Sequence, residues 1–113
     1  MEQLVEKMKT YLTMETPIPF QEFVTYYQDV LAFLQQEFQN LDQNALITIT
    51  AIVQTVSLNA TDRSLTKDSH SKKFKKMAEK MKFWYDALGY KLKKEYSMSE
   101  DDIDTAINAV FED

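Results

Sequence analysis

Residues 72–96 read KKFKKMAEKMKFWYDALGYKLKKEY, and the spacing of their apolar members decides the fold class. Phe74, Met77, Ala78, Met81, Trp84, Tyr85, Leu88 and Leu92 recur every three or four positions, which is the period of one helix face. A helix of this length is a rod of roughly 37 Å, enough to cross a small domain end to end. Turning the wheel by about 100° per residue brings a second, narrower strip to the other side, made of Phe83, Ala87 and Tyr90. Lys72, Lys76, Lys80, Lys91 and Lys94 border it. A helix that is apolar on two sides needs a cover on each.

Working outward, residues 43–58 carry the next decision. The run Ala45 to Val56 contains the alternation Ile47-Thr48-Ile49-Thr50, which suits a strand as well as a helix. No second strand-like run exists to pair with it, and a lone strand leaves its backbone ladder unsatisfied, so a helix is predicted. Asp42 stands where an N-cap belongs. With no charged residue between Asp42 and Asp62, this helix is expected to be the central and most buried one. Residues 20–40 give the strongest periodic signal, with Phe20, Phe23, Val24, Tyr27, Val30, Leu31, Leu34 and Phe38 on one broad face. Thr16-Pro17-Ile18-Pro19 separates it from a first helix over 2–13, whose stripe is Leu4, Met8, Tyr11 and Leu12. Pro19 suits the first turn of the second helix. Asn59 to Ser71 is rich in Ser, Thr, Asp and Asn and reads as a surface loop, with Ser69 or Ser71 available to cap the basic helix. Gly89 suggests a bend or a close helix crossing. Ser99-Glu100-Asp101-Asp102 resembles a capping box and opens a last helix over 100–111, with Ile103, Ile107, Val110 and Phe111 at helical spacing.

Composition agrees. One Gly and two Pro among 113 residues leave few breakers, and 44% hydrophobic content suits one globular domain. The expected fold is all-α, a compact bundle of four to five helices forming a single domain over 1–113. No cysteine means no disulfide framework and no thiolate metal site. There is no secretory leader pattern at the N-terminus, and the longest apolar run, Val30 to Leu34, is far short of the roughly 20 residues a membrane span requires. The Asn59-Ala60-Thr61 sequon matters only in a secreted chain and is discounted. A cytoplasmic protein is expected.

The net charge of −5 conceals a segregation. Residues 1–66 hold 8 acids and 3 bases, residues 67–96 hold 10 bases and 4 acids, and residues 97–113 hold 6 acids and no base. Such asymmetry implies internal complementarity, a charged partner, or both.

Catalysis finds no constellation. His70, the one histidine, sits in the polar stretch Asp68-Ser69-His70-Ser71, and there is no HExxH, no Gly-rich phosphate loop and no paired ExxH of the di-iron bundles. Glu100, Asp101, Asp102 and Asp104 lack EF-hand spacing and a turn glycine, and a helix cap explains them more simply. No catalytic, cofactor or metal residue is assigned. Met77, Met81 and Trp84 read as core rather than as a recognition box.

What remains is a surface. The candidate interaction face comprises Lys76, Lys80, Phe83, Ala87, Tyr90, Lys91 and Lys94, together with Ile103, Ile107 and Val110 of the acidic last helix. That last helix folding back over Phe83 and Tyr90 is one expected cover; a second subunit or another protein is the alternative. The chain is accordingly expected to be a protein-interaction or regulatory module that self-associates. The competing expectation is a nucleic-acid-associated factor using the lysine face, against which the acidic balance of the whole chain counts.

Overall fold

The structure, a computed structural model, describes residues 1–112 and contains five α-helices and no strand among them. They are α1 (Glu2–Thr13), α2 (Phe20–Glu37), α3 (Gln43–Ser64), α4 (Ser71–Tyr96) and α5 (Glu100–Ala109). The all-α expectation with four to five helices holds. The chain divides into two units, Met1–Asn40 and Leu41–Asp113.

In the first unit, α1 buries Leu4 and Met8 and meets α2 through polar as well as apolar contacts. The Tyr26 hydroxyl donates to the Leu4 carbonyl at 2.8 Å, and the Tyr11 ring sits edge-on to Tyr26 with centroids 5.3 Å apart. Burial, with Tyr11 and the charge of Asp29 adding to it, pushes the Tyr26 phenol well above its usual range. Pro19 stands at the N-cap of α2, just outside the first turn, with φ −60° and ψ 155°. The helix expected to reach residue 40 ends at Glu37, and Phe38–Asn40 tighten into a 3₁₀ turn, a common way to finish a helix.

The second unit is built on α3 and α4, which pair along their length, with α5 packed chiefly on α3 and only lightly on α4. Helix α3 opens as expected, Asp42 Oδ1 accepting from the Ala45 amide at 2.8 Å. Ile49, Thr50, Ala51, Ile52 and Val53 are five consecutive buried residues, so the helix is enclosed around its whole circumference there. This is why Ile47-Thr48-Ile49-Thr50 alternates without being a strand. A helix covered on all sides has no polar face for a 3.6-residue pattern to reveal. The buried hydroxyl of Thr50 is satisfied within the helix, donating to Leu46 O at 2.6 Å.

The expected end of α3 at residue 58 is corrected: it continues to Ser64. The polar residues that suggested a loop turn their side chains onto the helix's own carbonyls. Asn59 Nδ2 donates to Thr55 O, Thr61 Oγ1 to Ser57 O, and Ser64 Oγ to Thr61 O, at 2.9, 2.8 and 2.6 Å. Meanwhile Ala60 is fully buried and extends the stripe that Val56 begins. Such residues compete with helix only where their hydrogen bonds lead elsewhere. The connection is thus only Leu65–His70. Neither Ser69 nor Ser71 caps α4; His70 occupies the N-cap without a side-chain capping bond to the helix amides, and Asp68 Oδ1 accepts from the His70 amide at 2.8 Å. The Arg63 guanidinium, 5.5 Å from the Phe74 ring centroid, ties the end of α3 to the start of α4.

A reversal of three residues joins α4 to α5. Ser97 adopts the left-handed conformation (φ 54°, ψ 32°), and the amides of Ser97 and Met98 both donate to Leu92 O, a left-handed cap that ends α4. The capping box follows as its spacing implies: Ser99 Oγ accepts from the Asp102 amide, and Asp102 Oδ2 from the Ser99 amide. Helix α5 ends at Ala109 rather than residue 111.

Candidate interaction surface

The inner side of α4 buries Phe74, Met77, Met81, Leu88 and Leu92, while Ala78, Trp84 and Tyr85 of the same expected stripe are half-buried. The opposite side is the candidate surface. Phe83 is 62% exposed and Tyr90 64% exposed, with Ala87 half-buried between them. Lys76, Lys80 and Lys94 are exposed along the same side, and Lys80 Nζ lies 5.9 Å from the Phe83 ring centroid. The Phe83 ring stands edge-on to that of its neighbour Trp84, with centroids 5.8 Å apart. A pair of aromatic side chains is therefore presented in water on a rigid helix.

The fold-back of α5 over these rings is overturned. Ile103 and Ile107 are buried, on a helix that lies mainly on α3, and Val110 is half-buried. Ten residues are too few for α5 to bury two isoleucines beside α3 and reach the far side of α4 as well. Ile103 and Ile107 thus belong to the core rather than to the presented face. Lys91 leaves that face too: it is 8% exposed, with its ammonium 3.0 Å from Glu95 one turn along. A wheel with uniform steps placed Lys91 at the border. In the structure its long stem lies inward along the helix, which a count of residues does not reveal.

Where α5 does touch α4, a cleft of about 450 Å³ opens between Tyr85, Asp86, Gly89, Tyr90 and Lys93 on one wall and Glu100, Ile103 and Asp104 on the other. Lys93 Nζ and Glu100 Oε1 close one end at 3.0 Å. That hydrogen bond and charge hold the exposed Glu100 carboxyl below its usual range. Burial, with the carboxylates of Asp104, Asp86 and Glu100 adding to it against Lys93, raises the Tyr85 phenol. Asp86 pairs with Lys82 at 3.5 Å across one helix turn, an exposed contact worth about 0–1 kcal/mol. No backbone crosses close to Gly89; a side chain there would meet nothing within 4 Å. The expected helix crossing is absent, and the glycine instead floors this cleft.

Among the described residues no three metal-ligating side chains converge, and no helix is long and apolar enough to cross a membrane. His70 Nδ1 lies 3.2 Å from Asp68 Oδ1 in the exposed turn before α4. The cleft and the acidic turn beside it are features that spacing alone did not assemble, because they depend on which neighbour α5 chooses.

No family model matches the chain, and no curated protein or solved structure is significantly similar to it.

Proposed function

We propose that this protein is a helical interaction module that associates with copies of itself through the outer face of α4, with no catalytic role. The observation that supports this reading is the exposure of Phe83 and Tyr90 on one side of an ordered helix. They are the two aromatic side chains among the large exposed hydrophobics, and they stand two turns apart on one face. Large aromatic side chains set in a charged rim are the composition of contact surfaces, because their burial supplies affinity while the rim supplies orientation. A cytoplasmic setting belongs to the same proposal, as a chain without cysteine gives nothing up in a reducing compartment.

Light scattering across a concentration series tests it. The wild-type chain should reach a two-protomer mass, and the Phe83→Ser/Tyr90→Ser variant should remain at one protomer with an unchanged melting temperature. A wild-type chain of one-protomer mass throughout would refute self-association. A polyanion titration separates the second reading, in which the lysines bind nucleic acid. Heparin binding that collapses with added salt, in a chain that stays monomeric, favours that reading, since phosphate contacts release counterions whereas buried rings do not.

A further inference from the structure

The outer stripe of α4 is symmetric about position 85. Phe83 and Ala87 stand two residues either side of it, Lys80 and Tyr90 five, and Lys76 and Lys94 nine. Steps of four and three alternate along the stripe, the spacing of a helix-pairing seam. Resting on the proposed self-association, we infer that two copies pair α4 against α4 in antiparallel register, about a two-fold axis beside position 85. Each basic half of α4 then runs over the acidic start of α5 in the other copy.

A two-fold axis perpendicular to paired helices sets equidistant residues opposite one another. Phe83 of one copy meets Ala87 of the other, a large side chain against a small one, and this happens twice. Lys80 meets Tyr90, placing an ammonium against a ring, also twice. Lys76 and Lys94 meet only at the two ends, where long stems carry like charges into water. Parallel pairing would instead stack Phe83 on Phe83 and Lys80 on Lys80 along the whole seam.

Charge chooses the same orientation. Ser71 to Lys82 holds six lysines and one glutamate, whereas Phe83 to Ala109 holds six acids and three lysines. An antiparallel pair lays the positive half of each copy over the negative half of the other, and a parallel pair lays like on like. The flanks agree in detail. At about 100° per residue, Lys75 and Lys82 share one side of the stripe with Asp86 and Lys93, and Lys72 stands at that edge of the stripe in line with Tyr90. On that side α5 sits, anchored by the Lys93–Glu100 contact, with Asp101 and Asp104 exposed. The same two-fold sets like flank beside like flank, so the lysines of one copy arrive at those acids in the other. The open floor at Gly89 leaves room for a lysine stem.

Disulfide trapping reads the register, and the chain contributes no cysteine of its own. A Lys80→Cys chain mixed with a Tyr90→Cys chain should give a crosslinked heterodimer on mild oxidation, while each alone stays uncrosslinked. Lys80→Cys crosslinking to itself indicates parallel helices and overturns the inference. Crosslinking of Lys80→Cys to Lys94→Cys instead puts the axis at Ala87 and overturns it too. A two-protomer mass with either wrong crosslink removes the register but leaves self-association standing; a one-protomer mass removes both. Separately, Asp101→Lys/Asp104→Lys should lose dimer, and adding Lys72→Glu/Lys75→Glu to the same chain should restore it. Loss without restoration overturns the charge argument.

Discussion

Along the inner side of α4, Phe74, Met77, Met81, Leu88 and Leu92 are shut away from water, while on the outer side Phe83 and Tyr90 keep most of their surface in it. Both sides follow the same three-and-four spacing, and the difference lies in what stands opposite. Helix α3 matches α4 closely in length, 22 residues against 26, and pairs with it along that side. Helix α5, at 10 residues, follows the shorter route and settles on α3. Periodicity therefore identifies a face that can be buried, and the lengths and connections of neighbouring helices decide whether it is.

Substitution should separate the two sides most sharply. Leu88→Ala, at a fully buried position, should cost about 2–5 kcal/mol in denaturant unfolding, because transfer and cavity losses add. Phe83→Ala, measured on the dilute single protomer, should stay within about 0.5 kcal/mol of wild type, as exposed substitutions usually do. Equal losses at the two positions would erase the distinction between the faces.

A smaller effect comes from alkaline pH. Burial raises the phenols of Tyr26, Tyr27 and Tyr85, so their neutral form is favoured in the folded chain. Below the unfolded value of 10.0 both states hold the proton and stability is level. Above it the unfolded chain ionises first, and stability falls as pH rises toward the folded values. Urea midpoints between pH 9 and 11 should show this decline, shallower in Tyr85→Phe. A Tyr85→Phe profile identical to wild type would mean that this half-buried ring is as wet as those of the outer face.

One small change should be a gain. Gly89 is helical, without positive φ, and a Cβ there meets no atom within 4 Å. Gly89→Ala should therefore stabilise the protomer by about 0.5–1 kcal/mol through helix propensity alone. A loss in thermal unfolding would show that the cleft beside the outer face is tighter than its geometry indicates.

Much of the architecture is legible in the chain because it rests on local rules. The Ser99 capping box, the Asp42 cap and the inner stripe of α4 each depend on residues within a turn or two of one another. Three features escaped for one reason, that their cause lies outside the local window. Asn59, Thr61 and Ser64 have loop-like composition, yet they bond to carbonyls one turn back while Ala60 is drawn into the core. Lys91 looks like a rim lysine until its stem is seen to fold inward beside Glu95. The destination of α5 is set by competition between α3 and α4 for Ile103 and Ile107, and spacing within α5 is the same for either outcome. The outer strip was legible as apolar, but its exposure was not.

The separation of charge along α4 and α5 carries a consequence for handling the protein in the laboratory. Its isoelectric point near 4.9 says that at neutral pH it should pass through a sulfonate resin without stopping. Yet Lys72, Lys73, Lys75, Lys76, Lys80 and Lys82 are all exposed on one stiff helical segment that carries a single acid, Glu79. Retention on a cation exchanger, lost when the helices pair and each positive segment is met by a negative one, would turn a chromatogram into a measure of assembly.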